Sequence, residues 1–125
     1  MPWKMPEESF LSNRVKSVGY ALRGAWLLIR TEASIQIQLG IALAVTFLGI
    51  YLDISPMEWI AQLLAIGLVM GVEGVNTAIE KLSDYVQPER DPAIGQLKDI
   101  SAGAVMLCSL IAVAVGLIIY IPKIF

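Results

Sequence analysis

The sequence predicts an all-α integral membrane protein: one amphipathic surface helix followed by three transmembrane helices. Three observations lead there. The 125 residues are 57% hydrophobic and 16% charged, with a mean hydropathy of +0.70, too apolar for a soluble domain whose surface must be wet. Long runs, 33–52 and 100–122, carry no charge at all. Between the apolar runs lie turn and capping signals rather than strand alternation.

The length suits a single domain. The opening residues mix prolines with charges and are not expected to act as a signal peptide. A lone cysteine, Cys108, cannot form an internal disulfide and sits in an apolar run, which reads as packing. Histidine is absent, which excludes His-based metal sites, a His general base and a Ser-His-Asp triad. The net charge of -2 says little, and no nucleic-acid partner is expected.

The first helix is expected over 7–30. Leu11, Val15, Val18, Leu22, Trp26 and Ile29 recur at steps of three or four, while Lys16, Arg23 and Arg30 recur every seven. An apolar face with a tryptophan and a cationic edge suits the membrane interface. An ordinary amphipathic helix on a soluble core is the competing reading.

Residues 32–52 hold the first span. Twenty residues rising about 1.5 Å each cross a hydrocarbon core of about 30 Å. Glu32 stands just before the charge-free run, and Gln36 lies one turn further in on the same side. A solvated acid at a helix start is the plainer explanation of Glu32.

Asp53-Ile-Ser-Pro56 is a tight connection. Ser55-Pro-Met-Glu58 has the form of a capping box with proline at the first helical position. The helix is expected over 56–85. Its apolar part, Trp59 to Val72, is too short to span comfortably, so Glu73 must lie within or just below the bilayer edge. Gly67, Gly71, Gly74 and Ala78 form a small-residue stripe of the kind that lets helix backbones approach in lipid.

Gln87-Pro-Glu-Arg-Asp-Pro92 is a polar loop, and Asp91-Pro92 should cap and start a helix over 92–121. Lys98 and Asp99 come two turns in. Ser101, Ala104, Cys108, Ala112 and Gly116 make a small-residue face on the side of Lys98. Leu110, Ile111, Leu117, Ile118 and Ile119 should meet lipid or neighbouring helices. Eight of the nine basic residues precede the first span or lie between the second and third, leaving Lys123 alone. The positive-inside rule then puts the surface helix and the carboxylates in the cytoplasm.

The chemistry gathers at that edge. On a helix, Glu73, Asn76, Thr77, Glu80 and Asp84 share one face about 100° wide, with Glu32 and with Lys98 and Asp99 at the same membrane surface. Acids held at a bilayer edge need cations, and hard oxygen ligands without His or Cys favour Mg²⁺. Mg²⁺ commonly bridges to nucleotide phosphates, and Lys98 offers a point charge for phosphate. A glutamate not used for metal can take a proton from an alcohol. These features fit phosphoryl transfer from a nucleotide to a lipid hydroxyl. Neither the Gly-x-x-x-x-Gly-Lys-Ser/Thr loop nor the soluble protein-kinase motifs occur. Simple pairing of acids and bases at helix ends stays open, as does a small oligomeric ion channel or transporter, which predicts acids near mid-span.

The run Glu73-x-x-Asn-Thr-Ala-Ile-Glu80-x-x-x-Asp84, followed by Lys98-Asp-Ile-Ser-Ala-Gly-Ala-Val105, resembles the prokaryotic diacylglycerol kinase family, which includes undecaprenol kinases. The resemblance covers nearly the whole chain. It implies a homotrimer in the bacterial inner membrane, with sites built from helices of neighbouring subunits and ATP and Mg²⁺ bound at the cytoplasmic side. It implies Glu73 as general base on the lipid hydroxyl and Glu32 and Glu80 as metal ligands that also contact ATP. Asn76, Lys98 and Asp99 would bind nucleotide, with Tyr20, Glu89, Arg90 and Asp91 close to it. Ser34, Gln36 and Ala102 are the candidates for contact with the lipid substrate. The chain departs from the family where members often carry charge after the Glu32 position: Ser34, Gln36 and Gln38 are uncharged. A loop histidine is replaced by Asp91, and a surface-helix basic residue is displaced to Arg14. The segment Gly116 to Lys123 and the pair Glu58-Trp59 look more like undecaprenol-type members.

Overall fold

A computed structural model describes residues 9–125, which form four helices: α1 Phe10–Thr31, α2 Ala33–Tyr51, α3 Pro56–Val86 and α4 Pro92–Ile124. No strand occurs among the described residues. The expected first turn at residues 7 and 8, and Lys4, lie outside them. The described residues divide into two compact units, one ending at Ala33 and the other Ser34–Phe125.

In the first unit, Ser9 caps α1, its hydroxyl accepting the Ser12 N–H at 3.1 Å. No residue of α1 is buried. Leu11, Val15, Val18, Leu22 and Trp26 are all exposed, and Ile29 is half-buried. The Arg14 guanidinium lies 5.0 Å from the Phe10 ring centre, and that of Arg23 lies 5.9 Å from Tyr20. α1 ends where Glu32 turns to extended backbone, its N–H still bonded to Leu28 O at 3.0 Å.

In the second unit α2, α3 and α4 are each long and apolar enough to cross a membrane. With 19, 31 and 33 residues, they measure about 28, 46 and 50 Å at 1.5 Å per residue. A hydrocarbon core is about 30 Å thick, so α2 fits within it while α3 and α4 overshoot. The ends of α3 and α4 joined by the polar loop carry Glu80, Asp84 and Lys98. Most large apolar side chains, such as Phe47, Leu64, Leu107 and Ile118, are exposed. That surface suits lipid or other helices and would be untenable in water.

The α2–α3 connection is tight because Asp53 adopts φ 53°, a left-handed conformation that aspartate tolerates better than most residues. Ile54 N–H then reaches Gly49 O at 3.1 Å, and Ile54 turns into a small core with Ile119 and Tyr120, flanked by Leu48, Trp59 and Val115. The capping box is formed: Ser55 N–H donates to Glu58 Oε1 at 2.9 Å and Glu58 N–H to Ser55 Oγ at 3.2 Å. Glu58 also pairs with Lys123 at 3.0 Å. Asp91 caps α4, accepting the Ala93 N–H at 2.8 Å. α4 runs through Pro122 to Ile124 rather than stopping at 121. The proline lacks an N–H, but so close to the helix end the loss is one bond, and Phe125 N–H still reaches Ile121 O at 3.0 Å.

Candidate active site

The polar face of α3 is inward where the helix leaves its apolar run. Glu73, Asn76 and Thr77 are buried, while Glu80 and Asp84, one and two turns on, are exposed. Position 73 lies in a candidate span. A carboxylate there costs up to about 2.5–3.5 kcal/mol at the bilayer centre and less towards the edge. Each hydrogen bond to a charged group returns about 1.5–3 kcal/mol.

Glu73 has one such bond on each oxygen. Gln38 of α2 donates Nε2–H to Oε1 at 3.1 Å, and Asn76 donates Nδ2–H to Oε2 at 3.2 Å. The same Asn76 nitrogen donates its second hydrogen to Glu80 Oε1 at 2.8 Å. Ser101 of α4 donates Oγ–H to Asn76 Oδ1 at 2.7 Å. The Asn76 amide thus spends both donors on carboxylates, and its oxygen is fixed from α4. Side chains from all three spans converge on one carboxylate pair.

The other expected residues are distributed as follows. Lys98 pairs with Asp84, so the helix-end pairing weighed from the sequence does occur there. Asp99 and Ala102 are exposed on α4, Glu89 and Arg90 are exposed in the loop, and Asp91 serves as the cap. Ser34 and Gln36 are exposed on the first turn of α2. Tyr20 and Glu32 belong to the first unit, where Thr31 Oγ1 lies 3.3 Å from Glu32 Oε2.

Two members of the centre were not among the expected site residues. In the sequence Gln38 reads as an uncharged departure from the family pattern and Ser101 as part of a small-residue face. The available signal was a glutamine inside a charge-free span, which must find a partner in lipid. Its partner lies 35 residues away and cannot be read locally.

Among the described residues, no group of three or more carboxylates or thiols sits close enough to hold a metal. Mg²⁺ asks for less: one or two carboxylates, waters and substrate phosphates. Glu80, exposed and giving one oxygen to Asn76, fits that donor chemistry.

Beside Gln38 opens a cavity of about 290 Å³ between α2, α3 and α4, lined by Ile41, Val45, Met70, Val113 and others and reaching Gln62 and Tyr120. At that far end the Tyr120 hydroxyl lies 2.6 Å from Gln62 Oε1 and 2.9 Å from Val45 O. The polar groups there are paired with one another and leave the lining apolar.

Fold and site together define a multi-pass membrane protein with an amide-braced carboxylate centre on the polar face of one span. Residues 19–120 match the family model described as prokaryotic diacylglycerol kinase. An undecaprenol kinase of Bacillus subtilis is 36% identical over 113 residues, covering 90% of this chain and 92% of the relative. A diacylglycerol kinase of Escherichia coli is 32% identical over 103 residues, covering 79% and 81%. One of Haemophilus influenzae is 26% identical over 97 residues, covering 78% and 82%. The chain belongs to the prokaryotic diacylglycerol kinase family. It is a lipid kinase, with ATP as co-substrate, and the channel or transporter reading is set aside.

Proposed function

We propose that the enzyme transfers the γ-phosphoryl group of Mg-ATP to the hydroxyl of a membrane lipid alcohol, with Glu73 as general base. The observation that carries this reading is the buried Glu73 carboxylate, each oxygen holding one N–H and keeping a further lone pair for an incoming O–H. The alcohol donates its proton to Glu73 as its oxygen attacks the γ-phosphorus. The bond from that phosphorus to the bridging oxygen breaks, and ADP leaves with the electron pair. Asn76 keeps the base and Glu80 in fixed relation. Glu80, with Glu32, would hold Mg²⁺, which when bound neutralises phosphate charge. Lys98 and Asp99 would bind nucleotide together with Asn76, and Tyr20, Glu89, Arg90 and Asp91 would lie close to it. Lys98 would exchange Asp84 for phosphate.

Ser34, Gln36 and Ala102 remain the candidates at the lipid headgroup, and the apolar cavity beside Gln38 offers room for a hydrocarbon chain. The greater identity and coverage of the undecaprenol kinase relative favour a polyprenol over diacylglycerol as acceptor. The basic residues at one side support a site facing the cytoplasm from the bacterial inner membrane. A homotrimer is what the resemblance to the family implies; Gly67 and Gly71, where an added Cβ would meet nothing within 4 Å, leave a face open to a neighbouring helix.

The test is Mg-ATP turnover with undecaprenol and diacylglycerol side by side in nanodiscs. Glu73→Gln should abolish phosphorylation of either lipid and leave Mg-ATP binding within a few-fold. Normal turnover by this variant would remove the base assignment.

A further inference from the structure

We propose that Gln38 is a positioning residue for Glu73, acting from a different span. The proposal rests on the reading of Glu73 as the base. Gln38 Nε2–H lies 3.1 Å from Glu73 Oε1. The amide's orientation is informative, because its other end, Oε1, is buried with no partner among the described residues. A buried amide settles where its polar atoms are satisfied. Turned the other way, this one would set its oxygen against a carboxyl oxygen; the observed pose gives Glu73 Oε1 a donor and leaves the acceptor unpaired.

The consequence is geometric. Asn76 is on the same helix as Glu73, three residues on, and restrains Oε2 alone. That leaves the carboxylate free to swing about its own side chain. A second donor from α2 fixes Oε1 as well and so fixes the plane of the carboxylate, and with it the direction of the lone pairs offered to the alcohol. Gln38 also lines the apolar cavity, so the residue that aligns the base stands at the head of the space open to a lipid chain. A misplaced base loses rate even when substrates still bind.

The experiment uses the full-length protein in nanodiscs, with turnover normalised to bound nucleotide so that misfolded material drops out. Gln38→Met keeps the length and volume of the side chain and removes the donor. Losing one hydrogen bond to a charged group should lower kcat about 10- to 150-fold and the melting temperature by a few degrees, with KM for Mg-ATP within twofold. A packing role would lower the melting temperature and spare kcat. A Gln38→Met enzyme with kcat within twofold of wild type overturns the proposal. Should that variant fail to bind nucleotide, Gln38→Asn, which keeps the amide but falls short of Glu73, decides by the same kcat ratio. With Glu73→Gln inactive and Gln38→Met fully active, the base stands and its alignment by Gln38 falls. Turnover by Glu73→Gln overturns both.

Discussion

Replacing Asn76 by leucine tests the centre at its hub. The two side chains are similar in size, so the buried site stays filled while three hydrogen bonds disappear: to Glu73 at 3.2 Å, to Glu80 at 2.8 Å and from Ser101 at 2.7 Å. The bond to Glu73 alone is worth about 1.5–3 kcal/mol, which corresponds to about 10- to 150-fold in rate. Release of Glu80 adds to this without simple additivity, so kcat/KM should fall by at least about 100-fold. Asn76→Asp makes the opposite change: the volume is kept and a third carboxylate is placed between two others. At an effective dielectric of 20, like charges 3 Å apart repel by about 5 kcal/mol, so this variant should lose at least as much activity as the leucine variant and be less stable. The assay is transfer of labelled γ-phosphate to lipid in nanodiscs, read beside equilibrium Mg-ATP binding and thermal denaturation. An Asn76→Leu enzyme within threefold of wild-type kcat/KM would show that the amide does not brace the two glutamates during turnover.

Two further pairs of variants probe the site edge and the closed end of the bundle. Lys98 and Asp84 form a partly exposed pair, worth about 0–1 kcal/mol, so Asp84→Asn should barely move the melting temperature, whereas Lys98→Met should raise KM for Mg-ATP about tenfold or more; an unchanged KM would confine Lys98 to the ion pair. At Gly49 an added Cβ would lie 3.0 Å from Ile54 Cδ1, 3.0 Å from Trp59 and 3.1 Å from the Tyr120 hydroxyl. Gly49→Ala should therefore cost about 1–3 kcal/mol of stability, while Gly40→Ala, with nothing within 4 Å, should cost none; equal unfolding curves for the two would refute the packing argument.

The features legible in the sequence are those whose causes lie within a few residues of one another. The Ser55–Glu58 box and the Asp91 cap close over three residues or fewer, so side-chain chemistry and spacing suffice to place two helix starts. Charge-free runs long enough to cross a bilayer define the first and third spans, because lipid leaves the backbone no partner outside its own helix. The polar face from Glu73 to Asp84 follows from the helical period, and the paired motifs with Lys98 indicate the family.

The partners across that face follow from another cause. Gln38 meets Glu73 over 35 residues of chain, Ser101 meets Asn76 over 25, and Tyr120 meets Val45 over 75. A polar group buried in an apolar bundle is costly unless it is paired, and the sequence shows that such groups exist. Which pairs form depends on the depth and rotation at which α2, α3 and α4 cross. Those are set by close packing around residues such as Gly49 and Ile119, a property of the assembled helices that no single stretch of the chain contains.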